Sequence, residues 1–267
     1  MALLRKAFVF AASMGFAAPV FGAGVAEAPS NIDALRLLLG ASDENQAVEA
    51  AGKLAKSNDP EAVEALLDGL AIGAGPRVQA ALIDGLAARK DARAIQILSF
   101  YAGTRNVEVR RRAVTALAGI PSEKVVPTLL ERLGDAAPEV RQAAASGLAV
   151  RREKSAEPRL WKLLLRKDPA APSALAALAT PEMAHKLSEL LGQVPDNLIV
   201  QAFGDILKRP DFGPDPVRLE IVKTLAKIPG VDSTTTLIEY VAASEKDKAR
   251  PSRAEAQKVV DDRSGGQ

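Results

Sequence analysis

Residues 106–120 read NVEVRRRAVTALAGI, and residues 137–149 read APEVRQAAASGLA. In the first stretch Val109, Ala113, Val114 and Leu117 lie on one face at helical spacing. The second repeats that register, and VQAALIDGL from Val78 and VRLEIVKTL from Val217 are further copies. Outward from these stretches runs a comb of leucines, Leu54, Leu86, Leu117, Leu148 and Leu178, with a period of about 31 residues. A second comb follows the first at a constant offset, at Leu66, Leu98, Leu129, Leu160 and Leu190, and Leu225 and Leu237 keep the same offset. VVPTLLERL carries Leu129, Leu130 and Leu133 as the buried stripe of the partner helix.

Two combs in phase describe a repeated pair of helices. The joints carry Gly and Pro: GAGP at 73–76, Gly119 to Pro121, Gly134 to Pro138, and Thr180-Pro181. They are short enough to force neighbouring helices to run antiparallel. One such pair cannot bury its own apolar stripe, so stacked pairs must share a continuous core. Small residues at Ala113, Ala116, Ala144, Gly147, Ala174 and Ala177 let adjacent helices approach closely. The low aromatic content, 4%, favours helices over sheets, and most of the 17 prolines stand between apolar blocks, where helices start.

The rhythm breaks once, because the interval from Leu178 to Leu225 spans about one and a half units. DNLIVQAFGDILKR (196–209) reads as a lone helix, and PDFGPDP after it cannot continue one, so an extra helix and loop are expected at 196–216. NIDALRLLLG from Asn31 reads as a short capping helix. Residues 244–267 are charged and nearly without an apolar stripe, which predicts a disordered tail.

At the N-terminus, Arg5 and Lys6 precede an uncharged stretch, and Gly24 and Ala26 stand where a signal peptidase reads. Residues 1–26 are therefore expected to be a secretory signal, which places the mature chain in the periplasm or outside the cell. The competing reading is an uncleaved anchor, since Ala7 to Ala26 carries no charge and approaches the length that spans a bilayer. No other segment approaches membrane length. There is no cysteine, so the core and not disulfides must supply the stability.

The strings quoted first, each followed by a Pro-containing helix ending in a Leu doublet, resemble HEAT repeats, in particular the short HEAT-like units first associated with phycobilin lyases. The resemblance covers residues 42–243. It implies an all-α, right-handed α-solenoid of stacked antiparallel helix pairs, an ARM-type superhelix of about six pairs within residues 27–243. It further implies that the Val-Arg helices line the concave face, and that their arginines stack in a ladder with an Asp from the preceding turn. Arg110, Arg141 and Arg218 match those arginines. Asp135 matches the Asp for Arg141, whereas Thr104 and Phe212 occupy the other two turns.

Residues suited to catalysis are few. With one histidine, His185, and no cysteine, neither a His/Cys zinc site nor a Cys-His nucleophile can form. His185 lies at a polar helical position and reads as a surface residue. Trp161 fills a slot held elsewhere by Leu67, Leu130 and Leu191, so it reads as core. The carboxylate pairs Asp43-Glu44 and Asp261-Asp262 sit at a helix start and in the tail. No catalytic residue, metal or cofactor is expected.

Charge is distributed unevenly. Residues 105–167 hold 14 Lys or Arg against 7 Asp or Glu, residues 27–104 hold 7 against 11, and residues 168–267 hold 12 against 15. Arg111 and Arg112 fall away from the apolar stripe, with Gln142 and Ser146 nearby in the next unit, while Arg151 and Arg152 lie in a joint. This basic middle is either a solvated face with compensating ion pairs or a site for an acidic segment or helix of a protein partner. The reading is an exported scaffold that binds such a partner through these six residues. The alternative is a chromophore lyase-like or other enzyme-accessory protein. Nucleic acid is argued against, because the mature chain balances 33 basic against 33 acidic residues and is expected to be exported.

Overall fold

The computed structural model describes residues 31–244 and 250–265. Fifteen α-helices run through them: α1 (Asn31–Leu39), α2 (Glu44–Lys56), α3 (Glu61–Ile72), α4 (Pro76–Arg89), α5 (Ile95–Tyr101), α6 (Val107–Gly119), α7 (Val126–Arg132), α8 (Pro138–Val150), α9 (Glu157–Leu165), α10 (Ala171–Leu178), α11 (Pro181–Glu189), α12 (Asp196–Leu207), α13 (Asp215–Lys227), α14 (Val231–Ala243) and α15 (Pro251–Gly265). Among the described residues there is no strand; a single isolated β-bridge joins Leu191 and Val194. The leader expected at 1–26 lies outside the described residues, and no described helix is long and apolar enough to cross a membrane.

Local chemistry sets the joints. Asp43, Asn106 and Thr180 cap α2, α6 and α11 by accepting from backbone N–H groups of the first turn. The entries to α5, α7 and α9 each pass through a short 3₁₀ turn that begins at a capping side chain, Asp91, Ser122 or Glu153. Those three recur once per unit, in step with the leucine combs.

The helices form an all-α solenoid. α2, α4, α6, α8 and α10 stack side by side in one row, and α12 and α14 extend it. α1, α3 and α5 begin the second row, α7 and α9 pack against α8 and α10, and α11, α13 and α15 end it. One continuous core runs from Ile32 to Ala256. Leu54, Leu86, Leu117 and Leu148 are fully buried, as are Leu66, Leu98, Leu129 and Leu160. In the fifth unit the register slips: Leu178 and Leu190 are only half-buried, while Leu175 and Leu187 take the central places.

The lone helix expected at 196–209 is α12, and its placement has a consequence that sequence spacing did not show. α12 stacks on α10 and α14 on α12, so α13, whose sequence is of the Val-Arg type, packs between α11 and α15. One inserted helix thus moves that sequence type from the first row to the second.

The C-terminal region departs from the expectation of a disordered tail. Residues 251–265 form α15, which packs on α13 and α14. It has almost no apolar stripe because polar contacts hold it: Asp215 accepts from the Ser252 N–H at 3.0 Å and from its hydroxyl, and the Tyr240 and Ser252 hydroxyls meet at 2.7 Å. Arg263 donates to the carbonyls of Ala226 (2.8 Å) and Ile228 (2.9 Å), and Ala256 is fully buried.

Candidate partner-binding site

α6 and α8 pack closely because position 147 is glycine. A Cβ there would stand 2.5 Å from the Cβ of Ala118, so the helices could not keep this separation. On their exposed side the close approach leaves a groove of about 610 Å³. Ala118, Gly119, Ala143 and Gly147 lie along it; Val150, 84% exposed, stands at one end, and Arg111, Thr115, Glu139, Gln142 and Ser146 complete its lining. Its lining is small and largely apolar between polar side chains, a surface that can accept a polypeptide segment.

Of the six residues singled out by sequence, three meet in this groove: Arg111, Gln142 and Ser146, with Gln142 Nε2 at 3.3 Å from Ser146 Oγ. Their charge is not free. Arg111 grips Glu108 with two hydrogen bonds, at 2.9 and 2.8 Å, and Arg112 donates to the same carboxylate at 2.6 Å and pairs with Asp84 on α4. Hydrogen bonding from Arg111, opposed by partial burial and aided by Arg112, holds the Glu108 carboxyl down to about 2.

The other two residues do structural work. Arg151 donates to the Ile120 carbonyl one unit back. Arg152, in the left-handed region at φ 51°, pairs with Asp211 at 2.7 Å. Arg151 belongs to a series, since Arg89 donates to the carbonyls of Ser57 and Asp59, and Arg209 to those of Ala176 and Ala179. Each donates to carbonyls around the end of a first-row helix one unit back, where the helix no longer supplies a full set of donors.

The arginine ladder is present, in a different register from the one the resemblance implied. Arg110 holds Asp135 with two hydrogen bonds, 2.8 and 2.9 Å, and donates to the Thr104 carbonyl at 2.7 Å. Arg141 reaches Asp168 at 2.5 Å and the carbonyl of Asp135 at 2.8 Å. Each arginine therefore takes carbonyls from the turn before its own helix and a carboxylate from the turn one unit further on. Asp168, missed in the sequence, follows Arg141 at nearly the interval by which Asp135 follows Arg110; that spacing was the available signal. Arg218, buried, finds the carbonyls of Leu207, Arg209 and Phe212. Burial opposes ionisation of Asp135, but Arg110, the Ala137 N–H and Arg132 outweigh it and lower its pKa.

His185 is exposed and bridges two helices, with Nδ1 2.8 Å from Glu220 and Nε2 3.6 Å from Glu189. Trp161 is buried, donates to Glu157 at 3.0 Å and carries the Lys186 ammonium 4.2 Å from its ring centre. Among the described residues no group of three or more His, Cys, Asp and Glu is placed to hold a metal ion.

Stacked antiparallel pairs on one core, stapled between units by arginine, define a helical-repeat solenoid. The HEAT repeats family model matches residues 99–180, and that stretch of the chain is similar to HEAT repeats. No curated protein matches its sequence. Among solved structures, the chain is similar to the complex of CpcE and CpcF of phycocyanin lyase from Nostoc sp. PCC7120, at 18% identity over 92% of this chain and 99% of that one, with a TM-score of 0.48. It is also similar to Kap121p, at 17% identity over 86% of this chain and 29% of that one, with a TM-score of 0.44.

Proposed function

We propose that this chain is a binding scaffold, not a catalyst, which holds a segment of a partner protein in the groove between α6 and α8. One observation carries the reading: two first-row helices expose small apolar residues between the polar side chains of Arg111, Gln142 and Ser146, with Val150 uncovered. Helical repeats bind through extended surfaces of this kind. Arg111 is already engaged by Glu108, so it serves orientation and specificity more than raw attraction.

We also propose that the leader at residues 1–26 is removed and that the chain acts in the periplasm or outside the cell. The charged start and the small-residue end of the leader support this. N-terminal sequencing of the protein from an envelope fraction tests it. A first residue near position 27 agrees; a chain beginning at Met1 or Ala2 and released only by detergent overturns it.

A photo-crosslinking amino acid at Gln142 or Ser146, followed by mass spectrometry of the native envelope, tests the groove. The expected result is one partner captured from both positions, with capture weakened by Arg111→Glu and by Val150→Asp. Equal capture from an exposed position on the second row, such as Phe100, would place the partner elsewhere.

A further inference from the structure

The structure accounts for half of the basic residues between 105 and 167, and three of the remainder define a second surface. Arg110, Arg132 and Arg141 bind ladder carboxylates, Arg111 and Arg112 share Glu108, Arg151 caps a carbonyl and Arg152 meets Asp211. Along α9, by contrast, Arg159, Lys162 and Arg166 are exposed and make neither ion pair nor side-chain hydrogen bond among the described residues.

These three stand at i, i+3 and i+7, on one face of the helix. The only acid of α9, Glu157, is occupied by the Trp161 N–H. Helix stability does not explain the stripe. A cation near the C-terminus, such as Arg166, is favoured by the helix dipole, but Arg159 lies in the first turn, where that dipole opposes positive charge. Beside the stripe a recess of about 210 Å³ opens between α7 and α9, with Leu130, Leu133 and Leu163 in its lining; the one acid on its rim, Glu131, is paired with Arg132 and not with the stripe. Cations along an apolar recess suit a chain that carries carboxylates on one face and an apolar side chain among them.

We propose that this face of α9 docks an acidic segment of a partner protein, with carboxylates on Arg159, Lys162 and Arg166 and one apolar side chain in the recess. The inference rests on the reading of the chain as a scaffold but not on the groove between α6 and α8. A bilayer fits the surface less well, because one exposed leucine, Leu165, is too little to insert and a flat lipid surface does not fill a recess.

The buried Trp161 of the same helix, the only tryptophan of the chain, supplies a fluorescence signal. The probe is a synthetic helical peptide with Glu at i, i+3 and i+7 and Leu at i+4, titrated into the mature chain at low and high salt. A peptide of the same composition with the glutamates scattered around the helix is the control. The patterned peptide should bind at least about tenfold tighter than the scattered one, and more so at low salt. Arg159→Gln/Lys162→Gln/Arg166→Gln should remove that preference, Lys162→Glu alone should weaken it, and Arg111→Glu should leave it intact. Equal binding of the two peptides, or an unchanged affinity of the triple variant, overturns the proposal. So does tighter binding of phosphatidylglycerol vesicles through the same residues. Loss of binding in Arg111→Glu with none in the α9 variants would seat the acidic segment in the other groove, overturning this proposal and leaving the scaffold reading in place.

Discussion

At the scale of single residues, the chain uses arginine as a staple between units. Arg110 and Asp135 form a nearly buried bidentate pair, 11% and 4% exposed at the side chain. Removing one partner leaves the other charge without compensation, so Asp135→Ala or Arg110→Ala should cost about 3–5 kcal/mol by denaturant titration. Asp135→Asn carries a pH signature as well. The folded-state pKa of Asp135 is depressed, so its stabilisation is fully present above its unfolded value of about 4 and is lost as pH falls through the folded value. The wild type should therefore lose stability on acidification more steeply than Asp135→Asn, which thermal melts across that range measure. Gly147 makes the opposite kind of contribution, an atom that must be absent. Gly147→Val should destabilise by roughly 1–3 kcal/mol, because it forces α6 and α8 apart.

At the scale of elements, the leucine combs made the helix pairs readable, and the places where they mislead have physical causes. Leu117 and Leu148 were legible as core because helical spacing and burial coincide there. Leu178 was not, because α10 is only 8 residues long and ends before its last leucine reaches the centre. Leu175→Ala should thus cost about 2–5 kcal/mol and Leu178→Ala clearly less, a contrast that spacing alone would not predict. α15 escaped the sequence reading because apolar periodicity cannot reveal a helix held by hydroxyls and one arginine. Arg263→Ala should cost roughly 1–3 kcal/mol, since it strips a donor from a row of carbonyls near the end of α13. The candidate site was half legible for a similar reason: a run of arginines advertises charge, but only geometry shows which are already neutralised.

At the scale of the whole molecule, contacts among the described residues stay local, because each helix touches its chain neighbours and those one unit away. Such a topology has low contact order and should fold rapidly. The exception is the pair of Arg152 and Asp211, distant in sequence, which ties the middle units to the loop beyond α12. The two faces of the solenoid also differ in what they offer. Between α6 and α8 the first row shows small apolar residues with its arginines paired, whereas the α9 surface shows arginine and lysine with no acid bound.

The register of the ladder bears on how a protein of this kind can change length. Arg110 finds its carboxylate downstream at Asp135, still within the segment 106–136, so that segment contains both halves of its own clasp. A tandem duplication of that segment would bring each new arginine its own new aspartate and leave Arg141 with Asp168 undisturbed. What would not transfer is the fit between α6 and α8. In the copied helix Ala116 stands in the register of Gly147, and its methyl group would meet Ala118 of the helix before it. A lengthened chain is therefore expected to fold as a longer rod when the duplicate carries Ala116→Gly and to be less stable when it keeps alanine. Growth by whole units therefore needs one duplication and one point substitution, whereas the addition of a half unit, a single helix placed as α12 is, would turn every later copy onto the other row.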